Sequence, residues 1–275
     1  MKIQKTKLAI TVFESSLYRT TSTIIGFDSS VIIVDPNWLP HEIEMLQDNV
    51  EKYHAGKEQF LLFTHSDYDH IIGYEAFKGA KVIASEAFVH NKSKEKIINQ
   101  IHDFDNEYYI NRPYPITYPV VDIVVTESGQ SIQIDNHELI FFLSPGHASD
   151  GLFTIIPKKN CWIAGDYLSN IEIPFVDFDI YEYEKTLIAA HKINEDFPNI
   201  DFLIPGHGDV AESHIDIKRR IENDLKYILL LKNHNSNPTN IKETDVVNHI
   251  RNYSKNTVLM TAHHKNLNNL KLHSL

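Results

Sequence analysis

The 275-residue chain contains a single cysteine, Cys161, so no disulfide can form within it. Cys161 sits between Asn160 and Trp162 in an apolar stretch, where a small buried core residue is expected rather than a reactive thiol. No apolar run approaches the ~20 residues a membrane span needs. The N-terminal segment to Lys7 is basic, but the apolar residues after it are interrupted by Thr11 and Glu14. No small-residue cleavage site follows, so a secretory signal is not expected and the chain reads as cytoplasmic. A basic excess is also missing: 26 Lys and Arg stand against 37 Asp and Glu, a formal net charge of −11. Long nucleic acid and anionic membranes both reward a positive surface, so neither is an expected partner. No Gly/Ser/Thr-rich phosphate loop follows a strand, which argues against a flavodoxin-like or dinucleotide-binding segment. Neither an alignable internal repeat nor a low-complexity linker is present.

What remains is an ordinary globular composition, 42% apolar, on a chain long enough to bury a sizeable core. Strands are predicted over 8–13, 21–27, 31–34, 59–63 and 81–84 in the first half. In the second half they are predicted over 120–126, 131–134, 139–143, 151–156, 161–164 and 201–204. Helical spacing marks 41–53, 71–77, 85–100, 182–195, 211–232 and a stretch near 243–252. Two strand-rich halves, each with helices, suggest two sheets packed face to face with helices outside. The stretch 103–119 lacks periodicity and carries Tyr108, Tyr109, Tyr114 and Tyr118; it could be a substrate-covering lid or a packed connector.

Four short segments end hydrophobic runs on residues that bind metals. They are His65-Ser66-Asp67-Tyr68-Asp69-His70, Ser144-Pro145-Gly146-His147, Ala164-Gly165-Asp166 and Ile204-Pro205-Gly206-His207. Histidine with carboxylate suits zinc, iron or manganese. His65 and Asp67 are two residues apart, so an extended backbone points both to one side. One ion needs three or four protein ligands. The seven candidates His65, Asp67, Asp69, His70, His147, Asp166 and His207 therefore fit two ions better than one. The remaining histidines lack this setting; among them His41, His54, His102, His137, His214 and the pair His263-His264 read as ordinary surface or loop residues.

The pattern resembles the metallo-β-lactamase superfamily, whose signature is His-x-His-x-Asp-His followed by a later histidine, an aspartate and a final histidine. The likeness covers roughly residues 8–210. It implies an α/β fold, an αββα four-layer sandwich of two packed mixed β-sheets with outer helices, the metals lying at one edge between the sheets. It also implies a catalytic domain over 1–210, with 211–275 as a C-terminal helical extension packed on it. One site would comprise His65, Asp67 and His147, the other Asp69, His70 and His207, with Asp166 shared. Asp67 stands where the family usually has a second histidine. An anionic oxygen there makes the first site harder, so the two divalent ions are zinc by family likeness and manganese or iron by the chemistry of Asp67.

The implied enzyme is a dinuclear metallohydrolase. A metal-bridging hydroxide cleaves an ester-like bond (carboxylic ester, lactone, thioester or phosphoester) in a small-molecule substrate, and Asp69 and Asp166 orient the nucleophile. A tyrosine of 108–118, or Tyr167, could protonate or position the substrate. Residues 169–179 could wall the substrate, and the C-terminal helices could form a homodimer face. Asp67 also raises two alternatives, because two branches of the superfamily carry a carboxylate there. One is a phosphodiesterase or nuclease-like hydrolase, the other a di-iron oxygen-binding or redox protein.

Overall fold

The computed structural model describes residues 1–236, 243–253 and 257–272. The chain opens with an antiparallel hairpin, β1 (Lys2–Lys7) and β2 (Ile10–Glu14). Sequence reading missed β1. Its two-residue turn is Leu8-Ala9, held at positive φ, without the Asn-Gly or Asp-Gly signal such a turn usually shows. β3 (Thr21–Gly26) and β4 (Ser30–Val34) continue the antiparallel run. From β4 the sheet turns parallel through β5 (Glu58–Leu62), β6 (Lys81–Ser85) and β7 (Ile123–Val125). The seven strands lie in sequence order.

The second sheet runs β12-β11-β10-β9-β8. Its strands are β8 (Ser131–Ile134), β9 (His137–Leu143), β10 (Leu152–Ile156), β11 (Cys161–Gly165) and β12 (Phe202–Pro205). Only β11 and β12 pair in parallel. Both sheets are thus mixed, and their facing sides close on one apolar layer. Ile10, Ile32, Phe60 and Leu62 from the first sheet meet Phe141, Leu152, Ile163 and Ile204 from the second. Cys161 lies in this layer, fully buried. Burial pushes its thiol up to about 12, so it is a core residue and not a nucleophile.

Helices cover the outer faces. On the first sheet lie α1 (Pro40–His54), α2 (Tyr68–Ile71), α3 (Glu86–Val89) and α4 (Lys94–Glu107). In α1 the spacing of Ile43, Leu46 and Val50 supplies the buried stripe, and Pro40 occupies the first turn, where its missing N–H costs nothing. On the second sheet lie α5 (Ile180–Asp196), α6 (His214–Ser236), α7 (Glu243–Ile250) and α8 (Thr257–Leu272). The result is a four-layer αββα sandwich.

Three boundaries differ from expectation. The helix expected over 71–77 begins earlier, at Tyr68, and gives way to a 3-10 turn over Tyr74–Phe77. α4 runs on to Glu107, so the irregular stretch starts at Tyr108. That stretch is a packed connector: Arg112 donates to Asp105 and to the Trp38 carbonyl, and Tyr118 donates to the Phe88 carbonyl. Finally, α8 lay outside the predicted elements. Its inward face includes His263 and Asn266 among Leu259, Ala262, Leu267 and Leu270, and two polar residues interrupt the apolar period. His263 is accordingly buried beside the Tyr227 hydroxyl rather than solvated. Within the expected 211–275 extension, residues 237–242, 254–256 and 273–275 lie outside the described residues.

Candidate metal centre

Strand direction gathers the four sequence segments at one edge. β4 and β5 are parallel to each other, and β9, β11 and β12 run the same way within the second sheet. The chain leaves each at its C-terminal end. Thr64-His65 follows β5, His147 follows β9, Asp166 follows β11 and His207 follows β12. Backbone bonds lock the two sheets together there: Leu152 N donates to the Thr64 carbonyl at 2.8 Å, and Thr21 N to the Gly206 carbonyl at 2.7 Å. Gly206 is required at this seam, because a Cβ on it would fall 2.0 Å from Asp166 Oδ1.

The seven predicted side chains converge. His65, Asp67 and His147 form one group, and Asp69, His70 and His207 a second; Asp166 groups with His65 and His70 between them. Asp67 Oδ2 is 3.7 Å from His65 Nε2 and 3.3 Å from His147 Nε2. Asp69 Oδ2 is 3.6 Å from both His70 Nε2 and His207 Nε2. Asp166 reaches all four imidazoles. Its Oδ2 lies 3.8, 3.4 and 3.3 Å from the Nε2 atoms of His65, His147 and His207, and its Oδ1 lies 3.2 Å from that of His70. Donors set tetrahedrally at 2.0–2.1 Å from one ion sit about 3.3–3.4 Å apart, so these separations match a shared cation better than direct hydrogen bonds.

Each imidazole is also turned by its other nitrogen. His65 Nδ1 lies 3.0 Å from Thr64 Oγ1, and His70 Nδ1 3.0 Å from Asp35 Oδ2. His147 Nδ1 donates to the Phe175 carbonyl at 2.8 Å, and His207 Nδ1 to the Tyr18 carbonyl at 3.0 Å. With Nδ1 engaged, Nε2 is left to face the centre. The Nε2 atoms of His65, His70 and His147 and Asp166 Oδ1 are buried with no hydrogen-bond partner among the described residues. Buried polar atoms are rarely left so. Four of them gathered at this edge fit divalent cations.

Packed this closely, the carboxylates and imidazoles shift one another's proton affinities. Burial opposes charge on His147, but the Asp67 and Asp166 carboxylates outweigh it and push the ring up to about 10. Burial likewise opposes charge on His207, and Glu172 and Asp166 outweigh it, again to about 10. Asp166 is held well below the usual carboxylate range against its burial by His207, His70 and His65. Burial raises Asp69, with His70 and His207 only partly offsetting it. Burial, joined by neighbouring His70, lowers His65. Protons and divalent cations therefore compete for the same lone pairs.

Two residues of this centre escaped sequence reading. Asp35 is buried, accepts from Thr64 N at 2.9 Å and Thr64 Oγ1 at 2.6 Å, and meets His70 Nδ1. It ends the β4 run, as the other site residues end theirs, and that was the available signal. Replacing Asp35 by alanine is expected to weaken metal binding about 10–100-fold, as loss of a partner behind a ligand does. Competition with a chelator measures this, and an unchanged affinity would contradict it. Glu172, whose Oε1 is 3.9 Å from His207 Nδ1, lies in a loop without any sequence signature. Conversely, Tyr167 is engaged away from any substrate. Tyr167 is buried, donates to the Pro145 carbonyl, accepts from His147 N, and is pushed far up by burial. It braces the His147 turn. Of residues 169–179, Ile173, Pro174 and Phe175 line a small cavity with Asp166 and His207, and Phe178 lines the open cleft.

Residues 17–230 match the metallo-beta-lactamase superfamily. The chain is similar to a type 2 metallo-β-lactamase of Elizabethkingia meningoseptica, 22% identical over 72% of either chain. A type 2 metallo-β-lactamase of Bacteroides fragilis is 26% identical over 42% of this chain and 47% of its own. Among solved structures, a stereoselective inverting sec-alkylsulfatase from Pseudomonas sp. superposes with a TM-score of 0.69 at 15% identity. That alignment covers 86% of this chain but only 43% of the sulfatase, so this chain spans less than half its length. A metallo-β-lactamase from Pontibacter korlensis superposes at 0.55 and 15% identity, over 81% of this chain and 99% of that one. The αββα sandwich, the converging His/Asp edge and a family match over most of the sequence agree: this chain belongs to the metallo-β-lactamase superfamily.

Proposed function

We propose that the protein is a dinuclear metallohydrolase that cleaves an ester-like bond in a small molecule. The observation that carries this reading is the set of Nε2 atoms, each turned inward by a partner on Nδ1 and left without one of its own. His65, Asp67 and His147 would hold one ion, Asp69, His70 and His207 the other, and Asp166 both. When bound, such ions supply Lewis acidity: an acidified water as nucleophile and polarisation of the scissile group. Asp69 and Asp166 would orient the attacking water by accepting its hydrogen bonds at carboxylate oxygens. The four imidazoles keep their Nε2 lone pairs available because their Nδ1 protons are taken up by carbonyl, hydroxyl or carboxylate oxygens.

Beside Asp67 and His147 a cleft of about 300 Å³ opens. Its volume suits a small molecule, and its walls mix Asp67, Asp150 and Asp177 with Lys96 and Lys265, without the basic excess that a polyanion rewards. Ser66, Asn91 and Gln100 make the lining polar. The test is a substrate panel on protein of measured metal content: carboxylic esters, lactones, thioesters, phosphodiesters, a secondary alkyl sulfate and a β-lactam. Turnover of at least one class, lost in Asp69→Ala, supports the reading. Turnover that survives Asp69→Ala removes the mechanism.

A phosphodiesterase is the second reading, carried by the Asp67 carboxylate, and the panel separates the two. Asp67 also bears on the metal. Replacing it by histidine exchanges a hard anionic oxygen for a neutral nitrogen, and its partly exposed position at the cleft leaves room for the ring. Asp67→His is expected to raise the preference for zinc over manganese about tenfold or more. Competitive loading read by elemental analysis measures it, and an unchanged ratio would show that Asp67 does not set the preference.

A further inference from the structure

The loop over residues 172–179, between β11 and α5, has no sheet or helix ladder to satisfy its backbone, so its polar groups must find partners elsewhere. Some of them turn to the turn that carries His147. Asp177 N donates to the His147 carbonyl at 3.2 Å, and Asp179 N to the Gly146 carbonyl at 3.2 Å. Others turn to α8, which begins at Thr257, beyond the matched 17–230 stretch. Asn266, 1% exposed, donates Nδ2 to the Pro174 carbonyl at 2.7 Å and accepts from Val176 N at 2.9 Å on Oδ1. Asn269 donates to the Val176 carbonyl at 2.9 Å. Lys265 pairs with Asp177 at 2.7 Å, and both line the cleft beside His147.

The carboxamide of Asn266 thus grips the chain on both sides of Phe175, as a neighbouring strand would. The Phe175 carbonyl it brackets is the acceptor of His147 Nδ1. We propose that α8 is a working part of the metal centre. Asn266 is a positioning residue that fixes the Phe175 carbonyl and, through it, the tautomer and direction of the His147 ring. A carbonyl held at 2.8 Å keeps the proton on Nδ1 and the lone pair on Nε2. If the loop loosens, that ring can turn and its Nε2 leaves the centre, whereas His65, His70 and His207 take their bonds from Thr64, Asp35 and Tyr18. The effect should therefore fall on the ion held by His147 and spare the other. This inference rests on the proposed role of His147 as a ligand.

The experiment titrates the full-length protein with cobalt and zinc against a competing chelator, following the cobalt absorption bands, for wild type, Asn266→Ala, Asn269→Ala and Lys265→Ala. Thermal melts in chelator establish that each variant is folded. Asn266→Ala is expected to weaken one of two binding steps about 10–100-fold and to leave the other as in wild type. Asn269→Ala should shift the same step by less, and Lys265→Ala neither. If Asn266→Ala does not fold, Asn269→Ala, a half-buried position touching Val176 alone among these contacts, decides the matter. Wild-type affinities in the folded variants overturn the proposal, and so does equal weakening of both steps, which would mean general loosening. A wild-type protein that binds no metal fails at the proposed function instead.

Discussion

Replacing Asp166 by alanine is expected to abolish tight metal binding and to lower turnover on the order of a thousand-fold, about 4 kcal/mol of transition-state stabilisation. Among the described residues Asp166 is the one side chain in reach of all four imidazoles, at 3.2 to 3.8 Å. Removing it would take the shared donor from both proposed ions and leave four rings facing a void. Asp166→Asn keeps the shape and one oxygen but loses the charge, so it should retain a single, weakened ion. The same loss shows in stability. A ligand present at about a thousand times its Kd stabilises by ~4 kcal/mol. For a chain of this size that is a rise in Tm on the order of ten degrees. Zinc should produce that rise in wild type and not in Asp166→Ala. Two retained ions, or an undiminished rise, would contradict the shared role.

The second large effect lies away from the centre. Asp224 on α6 is buried, accepting from Leu168 N at 3.1 Å and from the Tyr253 hydroxyl at 2.8 Å. Burial pushes its carboxyl up to about 7, against the opposing pull of Tyr253, Leu168 and Arg220. The native state therefore keeps a proton that the unfolded chain gives up near pH 4. Below that pH both states are protonated and there is no penalty. As pH rises from 4 toward 7 the unfolded state is favoured progressively, and above 7 the cost levels off on the order of 4 kcal/mol. Asparagine cannot ionise, can accept from Leu168 N and can donate to the Tyr253 oxygen. Asp224→Asn should thus match wild type at pH 4 and melt higher at pH 8 by about ten degrees. Thermal melts in chelator across that range test it, and a variant that melts lower than wild type at pH 8 would refute the assignment.

The fold and the centre were legible in the sequence to different depths, for physical reasons. Strands such as 31–34 and 161–164 are buried on both faces and read as unbroken apolar runs. The residues that end them, His65, His147, Asp166 and His207, stood out because each followed such a run. Asp35 follows one too, but a lone aspartate before proline reads first as a strand stop, and its role shows only once β4 and β5 lie side by side. β1 was hidden by a Leu-Ala turn, and α8 by the polar residues on its buried face. The same side chains, His263 and Asn266, misled the reading in two ways. The polarity of His263 suggested solvent, and the partners of the two, Tyr227 and Pro174, lie far away in sequence. Long-range hydrogen bonds of this kind leave no periodic trace.

The proposed function requires two cations between these sheets, held in common by Asp166. Anomalous diffraction from crystals of the zinc-loaded protein tests it most directly. Two peaks about 3.5–4 Å apart should appear, one against His65, Asp67 and His147, the other against Asp69, His70 and His207. A single peak, or peaks away from Asp166, would contradict the account.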